Sequence, residues 1–238
     1  MILLNEQKIL FLKPHKVAGT SFEIALSKYA GTNDIITGIH RDDDVLRKSL
    51  GFRSRQNVDY TPREILSAHK FEYLKRKARR KNLRKFQNHI SAKNAQEKLG
   101  SETWDKVLKV SMVRNPFDCV VSNYYWKTRN SKNPPEFAKW FHKSLHLVDQ
   151  NYEQYFINGS GAIDYYIRFE NLEQDIRALE QSVVSLAGLY DTFASINAKG
   201  NIRPARSSAS DFFKGHEEIV DIITDMNQRI IEKFDYSL

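Results

Sequence analysis

Cysteine is nearly absent. Cys119 is the single one in 238 residues, so no internal disulfide can form. A reducing compartment, the cytoplasm, is the expectation that follows. Long apolar runs are missing too, and nothing approaches the ~18–20 residues that a membrane span needs. The opening Met1-Ile2-Leu3-Leu4 meets Asn5, Glu6, Gln7 and Lys8 too soon to form the apolar core of a signal peptide. No internal repeat, low-complexity tract or Pro/Gly/Ser-rich linker divides the chain, which predicts one domain over 1–238. Hydrophobic residues make up 41% and charged residues 28%, a balance that excludes disordered and collagen-like classes. A chain of this length can bury a core without disulfide or metal staples.

Positive charge is present but confined. The net charge is +8, and the stretch KFEYLKRKARRKNLRK (70–85) carries all of it. The remainder is neutral, which favours one basic helix or one basic rim beside a site over a dispersed nucleic-acid-binding face. Its two readings are a steering surface for an anionic substrate and a solvated helix face.

Three apolar runs read as buried strands: KILFLK (8–13), KVLKVSMV (106–113) and AIDYYIRF (162–169). Helices are expected over TSFEIALSKYA, from the capping box Thr61-Pro62-Arg63-Glu64 onward, over Ser91 to Leu99, from Pro116 to about Lys127, over 135–147, over LEQDIRALEQSVVSLAG and over about 217–233. Residues 31–60 and 197–211 read as irregular. Strands alternating with helices predict an α/β fold in three layers, a central parallel sheet flanked by helices. In such sheets ligands sit at the carboxyl ends of the strands.

Both leading strand ends carry anion-binding chemistry. After the first come Lys16, Gly19, Thr20 and Ser21, at a helix N-terminus whose amides and dipole favour an anion. The alternative is an ordinary strand-to-helix turn capped by a threonine. After the second comes Arg114, with Ser122 eight residues on, an arginine fork and a hydroxyl suited to a phosphate monoester. The alternative there is an Arg114–Asp118 pair with Ser122 merely packed. The nucleotide-kinase pattern G-x-x-x-x-G-K followed by Ser or Thr is absent, and no pair of aspartates for magnesium stands at a strand end.

Taken together, these segments resemble the sulfotransferases that use 3′-phosphoadenosine 5′-phosphosulfate (PAPS), particularly the glycan branch of the heparan and chondroitin type. The first signature, a Pro-Lys-Thr loop with small residues and Thr-Ser, stands here as His15-Lys16-Val17-Ala18-Gly19-Thr20-Ser21, with His15 in place of the proline. The second, Arg-x-Pro followed by Ser-x-Tyr, stands as Arg114-Asn115-Pro116 and Ser122-Asn123-Tyr124. HISAKNAQEKLGSETWDKVLKVSMVRNPFD (89–118), RFENLEQD (168–175) and the closing FDY are similar to later parts of the family pattern. The resemblance implies the P-loop-NTPase-like sulfotransferase fold and transfer of a sulfuryl group from PAPS, without metal, to a hydroxyl acceptor of carbohydrate type. It implies that Lys16, Ala18, Gly19, Thr20 and Ser21 bind the 5′-phosphosulfate, with Lys16 at the leaving oxygen. Arg114 and Ser122 would hold the 3′-phosphate. Loop 197–211, with Arg203 and Arg206, matches the region that closes over the nucleotide. Relatives in animals are usually anchored in the Golgi, and the lack of an anchor here fits a cytoplasmic enzyme with neither nucleic-acid nor membrane partner.

A hydroxyl acceptor requires a base, and histidine suits that near neutral pH. Among seven histidines, His89 sits in the context that resembles the glycan branch's catalytic segment. His69 competes with it, and His15 reads as a residue that shapes the loop. Tyr124, Tyr125 and Trp126 read as core or sugar-stacking residues alike, and Cys119 as a small buried residue. The competing functions are a nucleic-acid binder using 70–85 and a small-molecule or nucleotide kinase on a related sheet.

Overall fold

The computed structural model describes residues 1–61, 64, 84–196 and 209–238. Along the chain run β1 (Ile2–Leu4), β2 (Ile9–Leu12), α1 (Gly19–Leu26), β3 (Ile35–Ile36) and α2 (Arg41–Ser49). Next come α3 (Ala92–Leu99), α4 (Ser101–Lys106), β4 (Leu108–Val113), α5 (Pro116–Thr128), α6 (Phe137–His142) and α7 (Tyr152–Tyr155). The short strands β5 (Phe156–Ile157) and β6 (Ser160–Gly161) then lead to β7 (Tyr165–Arg168), α8 (Leu172–Ser182) and α9 (Leu189–Ala194). The described part ends with α10 (Ala209–Phe213) and α11 (Glu217–Phe234).

The five-stranded sheet has the order β3-β1-β2-β4-β7. The three apolar runs form its parallel part: Ile9 to Leu12 pair with Leu108 to Ser111, and Val110 to Val113 with Tyr165 to Arg168. β1 and β3 add an antiparallel edge that the sequence reading had not separated from loop. β2 is buried along its whole length, and its side chains alternate between faces as a strand requires. Ile9 and Phe11 join one core with Phe22, Ile24, Ile167, Ile176 and Leu179. Leu10 and Leu12 join another with Ile90, Ala95, Trp104, Tyr155 and Ile230. Two apolar faces on one strand demand helices on both sides, which is the expected three-layer α/β arrangement. A third cluster, with Phe117, Val121, Phe141 and Ile223, joins α5, α6 and α11.

The local signals behave as their chemistry dictates. Asn115 Oδ1 accepts from the Phe117 amide at 3.0 Å with Pro116 at the first helical position. Ser91 Oγ accepts from the Asn94 amide at 3.2 Å. Thr61 and Glu64 form the expected reciprocal capping box, Glu64 N–H to Thr61 Oγ1 at 3.2 Å and Thr61 N–H to Glu64 Oε2 at 2.8 Å. The helix expected beyond it lies outside the described residues. Segment 31–60 departs from the irregular reading, because it contains β3 and α2. α2 carries few apolar residues, so apolar periodicity missed it. Its signal is charge: Asp42, Asp43 and Asp44 in the first turn, Arg47 and Lys48 in the last, as the helix dipole favours. The helices expected over 135–147 and 172–188 are shorter, each followed by a 3₁₀ turn. Among the described residues, no helix is long and apolar enough to cross a membrane.

Candidate active site

The turn from β2 to α1 is built on a lysine that never reaches solvent. Lys13 is buried, and its ammonium pairs with the fully buried Glu23 of α1 at 2.7 Å. Gly19 makes room for that side chain, since a Cβ there would lie 3.0 Å from Lys13 Cγ. The left-handed positions of the turn are instead Lys16 (φ 63°) and Ala18 (φ 61°). α1 has no side-chain cap, and the Phe22 amide takes the Ala18 carbonyl at 3.3 Å. The amides of Gly19, Thr20 and Ser21 thus lie ahead of the helical ladder, as an anion site at a helix start requires. Thr20 is half-exposed and Ser21 is buried. The Lys16 ammonium lies 4.6 Å from the centre of the Trp126 ring, whose other cation neighbour, the Arg129 guanidinium, is 3.9 Å away.

The turn after β4 meets the first one directly. Arg114 donates to the Lys16 carbonyl at 3.3 Å and to Asp118 at 3.3 Å, and stacks on Phe169 at 3.9 Å. Its side chain is 9% exposed, and its buried Nε has no hydrogen-bond partner among the described residues. Two bonds at 3.3 Å and an unfilled donor leave this guanidinium with hydrogen-bonding capacity to spare. The Asp118 pairing considered from sequence is therefore real and leaves donor capacity over. Ser122, half-exposed, lies one turn beyond Asp118 on α5.

The later sequence landmarks hold this turn in place. Glu170 accepts from the Asn115 amide at 2.9 Å and from the Tyr236 hydroxyl at 2.9 Å. Asn115 Nδ2 reaches the Ser237 carbonyl at 2.7 Å. Arg168 forks onto Asp175 at 2.9 Å and 2.7 Å, closing β7 against α8.

His89 comes to the base of the first turn. Its Nδ1 lies 2.9 Å from the Lys13 carbonyl. A carbonyl only accepts, so Nδ1 carries the hydrogen and Nε2 keeps its lone pair. Its ring stacks on His15, with centroids 3.6 Å apart and planes 12° from parallel. Burial, His15 and Lys13 lower the His89 pKa to about 3. Burial, Lys13, Lys127 and Lys16 lower that of His15 to about 4. Both rings are neutral near pH 7. His15, read as a loop-shaping residue, also supplies this stacking face.

Cys119 is buried, and burial raises its thiol to about 12, far from a thiolate nucleophile. Tyr124 packs edge-on against Phe137, Trp140 and Phe212, and Tyr125 against Phe212, so both are half-buried residues packed against the third cluster. Trp126 is the one of the three that faces a site lysine. His69, Arg203, Arg206 and most of the basic stretch 70–85 lie outside the described residues. Beside Arg114 a cleft opens, lined by Gln150, Asn151, Tyr152, Asn227 and Arg229 among others.

A family model described as Sulfotransferase domain matches residues 9–188. No curated protein and no solved structure matches the chain. The matched span begins at the first residue of β2 and takes in Lys16, His89, Arg114 and Ser122, and on that match the chain belongs to the sulfotransferase domain family.

Proposed function

We propose that the chain transfers a sulfuryl group from PAPS to a hydroxyl of a carbohydrate. The observation that carries this reading is the meeting of three turns: Arg114 on the Lys16 carbonyl and His89 on the Lys13 carbonyl. The residues present fit the donor. The unfilled Arg114 Nε suits the 3′-phosphate together with Ser122. The uncapped start of α1, with Ala18, Gly19, Thr20, Ser21 and the mobile charge of Lys16, suits the 5′-phosphosulfate. PAPS when bound supplies an activated sulfur and a phosphate leaving group.

His89 Nε2 takes the proton of the acceptor hydroxyl while the acceptor oxygen bonds to sulfur. Lys16 balances the charge that stays on the phosphate oxygen as the old sulfur–oxygen bond breaks, which leaves adenosine 3′,5′-bisphosphate and the sulfate ester. Catalysis on this plan is positioning and charge stabilisation, the terms that dominate the related phosphoryl transfer. A carbohydrate acceptor is supported by the cleft beside Arg114. Its amides Gln150 and Asn227 offer hydrogen bonds to hydroxyls, and Tyr152, stacked on Phe156 at 4.8 Å, offers an aromatic face.

Calorimetric titration with adenosine 3′,5′-bisphosphate, ADP and Mg·ATP tests the donor. Binding of the bisphosphate alone, lost in Arg114→Ala, is expected. Equal binding of Mg·ATP would return the chain to the kinase reading.

A further inference from the structure

The two loops that carry His15 and His89 are clipped by one short segment. Asn151 accepts from the His15 amide at 2.7 Å and donates to the His15 carbonyl at 3.0 Å. Three residues on, Gln154 donates to the His89 carbonyl at 3.1 Å. The stretch leading into α7 therefore fixes the backbone of both histidines. His89 itself has φ 56°, a left-handed conformation that a β-carbon disfavours and that persists only where the surroundings dictate it. Three constraints thus act on one imidazole: a strained backbone tied by Gln154, the Nδ1 bond to Lys13, and the flat face of His15.

Resting on the reading of His89 as the base, we propose that His15, clamped by Asn151, is a positioning residue that holds the His89 ring with Nε2 directed to the acceptor. The chemistry explains why a histidine can serve there. Two stacked imidazoles 3.6 Å apart cannot both be charged, and the cations acting on them are Lys13, Lys16 and Lys127 at His15, and Lys13 and the Met1 amine at His89. When His89 accepts the proton, His15 stays neutral and presents a π face to the new cation, as a phenyl ring would. The platform needs a flat, uncharged ring, not a second base. This is also the position at which the sequence carries His15 where the family signature has proline.

The test compares His15→Ala, His15→Phe and Asn151→Ala in the full chain by two readouts. The first is kcat and KM for donor and acceptor. The second is the titration of His89, followed by NMR of ring-labelled histidine, which needs no turnover. His15→Ala is expected to lower kcat about tenfold, a fraction of what general-base catalysis supplies, with donor KM unchanged. Its His89 midpoint should move up from about 3 toward the ordinary 6.5. His15→Phe should restore kcat, and Asn151→Ala, which keeps both rings, should lower kcat with both KM values unchanged. Wild-type kcat with an unmoved His89 titration in His15→Ala would overturn the proposal. So would a His15→Phe protein as slow as His15→Ala, because a ring nitrogen at 15 would then be required. If no variant and no wild type transfers a sulfuryl group, the functional reading fails, and the His89 titration alone still decides the platform.

Discussion

Lys13 and Lys16 stand three residues apart on one loop and live in opposite electrostatic worlds. Below the loop, Glu23 takes Lys13 at 2.7 Å, the Met1 amine at 2.9 Å and the Thr37 hydroxyl at 3.0 Å, all buried. Above it, Lys16 lies against an aromatic face, and Arg114 holds two bonds at 3.3 Å and a donor with no partner among the described residues. A buried charge that is fully matched serves the fold, because removing one partner strands the other. The half-exposed Lys16 stands where a ligand can reach it. The same residue type, in the same loop, divides by burial.

The largest effect should come from breaking the lower knot. Lys13→Met takes from the buried Glu23 the nearer of its two ammonium partners and is expected to cost about 3–5 kcal/mol of stability, read by urea denaturation. Lys16→Ala should leave that stability within about 0.5 kcal/mol, while turnover falls on the order of 10²–10³ as a charge-stabilising donor is lost. If Lys16→Ala unfolded the protein and Lys13→Met only slowed it, the division between the two levels would be reversed. Arg114→Ala sits between the levels, and should weaken adenosine 3′,5′-bisphosphate by about 1.5–3 kcal/mol, the worth of hydrogen bonds to a charged group.

The dependence of stability on acid gives a further comparison. The histidine pKa values are lowered from 6.5 to about 4 and about 3, so the unfolded chain binds protons first as pH falls. Their contribution is complete above 6.5 and is lost on the way down through those folded values. Glu23, lowered from 4.5 to about 2 by Lys13 and the Met1 amine against its own burial, contributes above 4.5 and loses its share below. The Met1 amine, lowered by burial from 8.0 to about 6, acts with the same sign at higher pH. Replacing His15 and His89 together with Phe should flatten the limb that starts at pH 6.5 and leave the Glu23 limb in place. Urea midpoints across the acid range measure both limbs.

How far the sequence carried this picture depended on whether the determinant was local. The parallel strands were visible because each is a short apolar run ended by a polar turn, and the caps at Ser91 and Asn115 because capping is a matter of neighbours. The turns at Lys16 and Arg114 were legible for the same reason. The histidine stack was not: His15 and His89 meet only through the fold, and Asn151, which clamps His15, is 136 residues away. Nor did RFENLEQD and FDY disclose their task, which depends on Glu170 bridging Asn115 and Tyr236. β3 is too short to show a period and α2 too polar. The division of labour between Lys13 and Lys16 needed burial, which a run of letters does not contain.

The placement of β2 has a consequence in time. Its antiparallel neighbour β1 is a few residues away, with Leu4 opposite Ile9, whereas its parallel neighbour brings Leu108 to the same Ile9. The first pairing closes a short loop. The second must gather nearly a hundred residues of chain before any contact rewards it, the kind of ordering that slows folding. The hairpin carrying the Lys16 turn can therefore form early, while Arg114 arrives only with β4. A nascent chain halted before β4 would own the Lys16 turn and lack Arg114, so on the proposed function donor binding is gained late in folding rather than at its beginning.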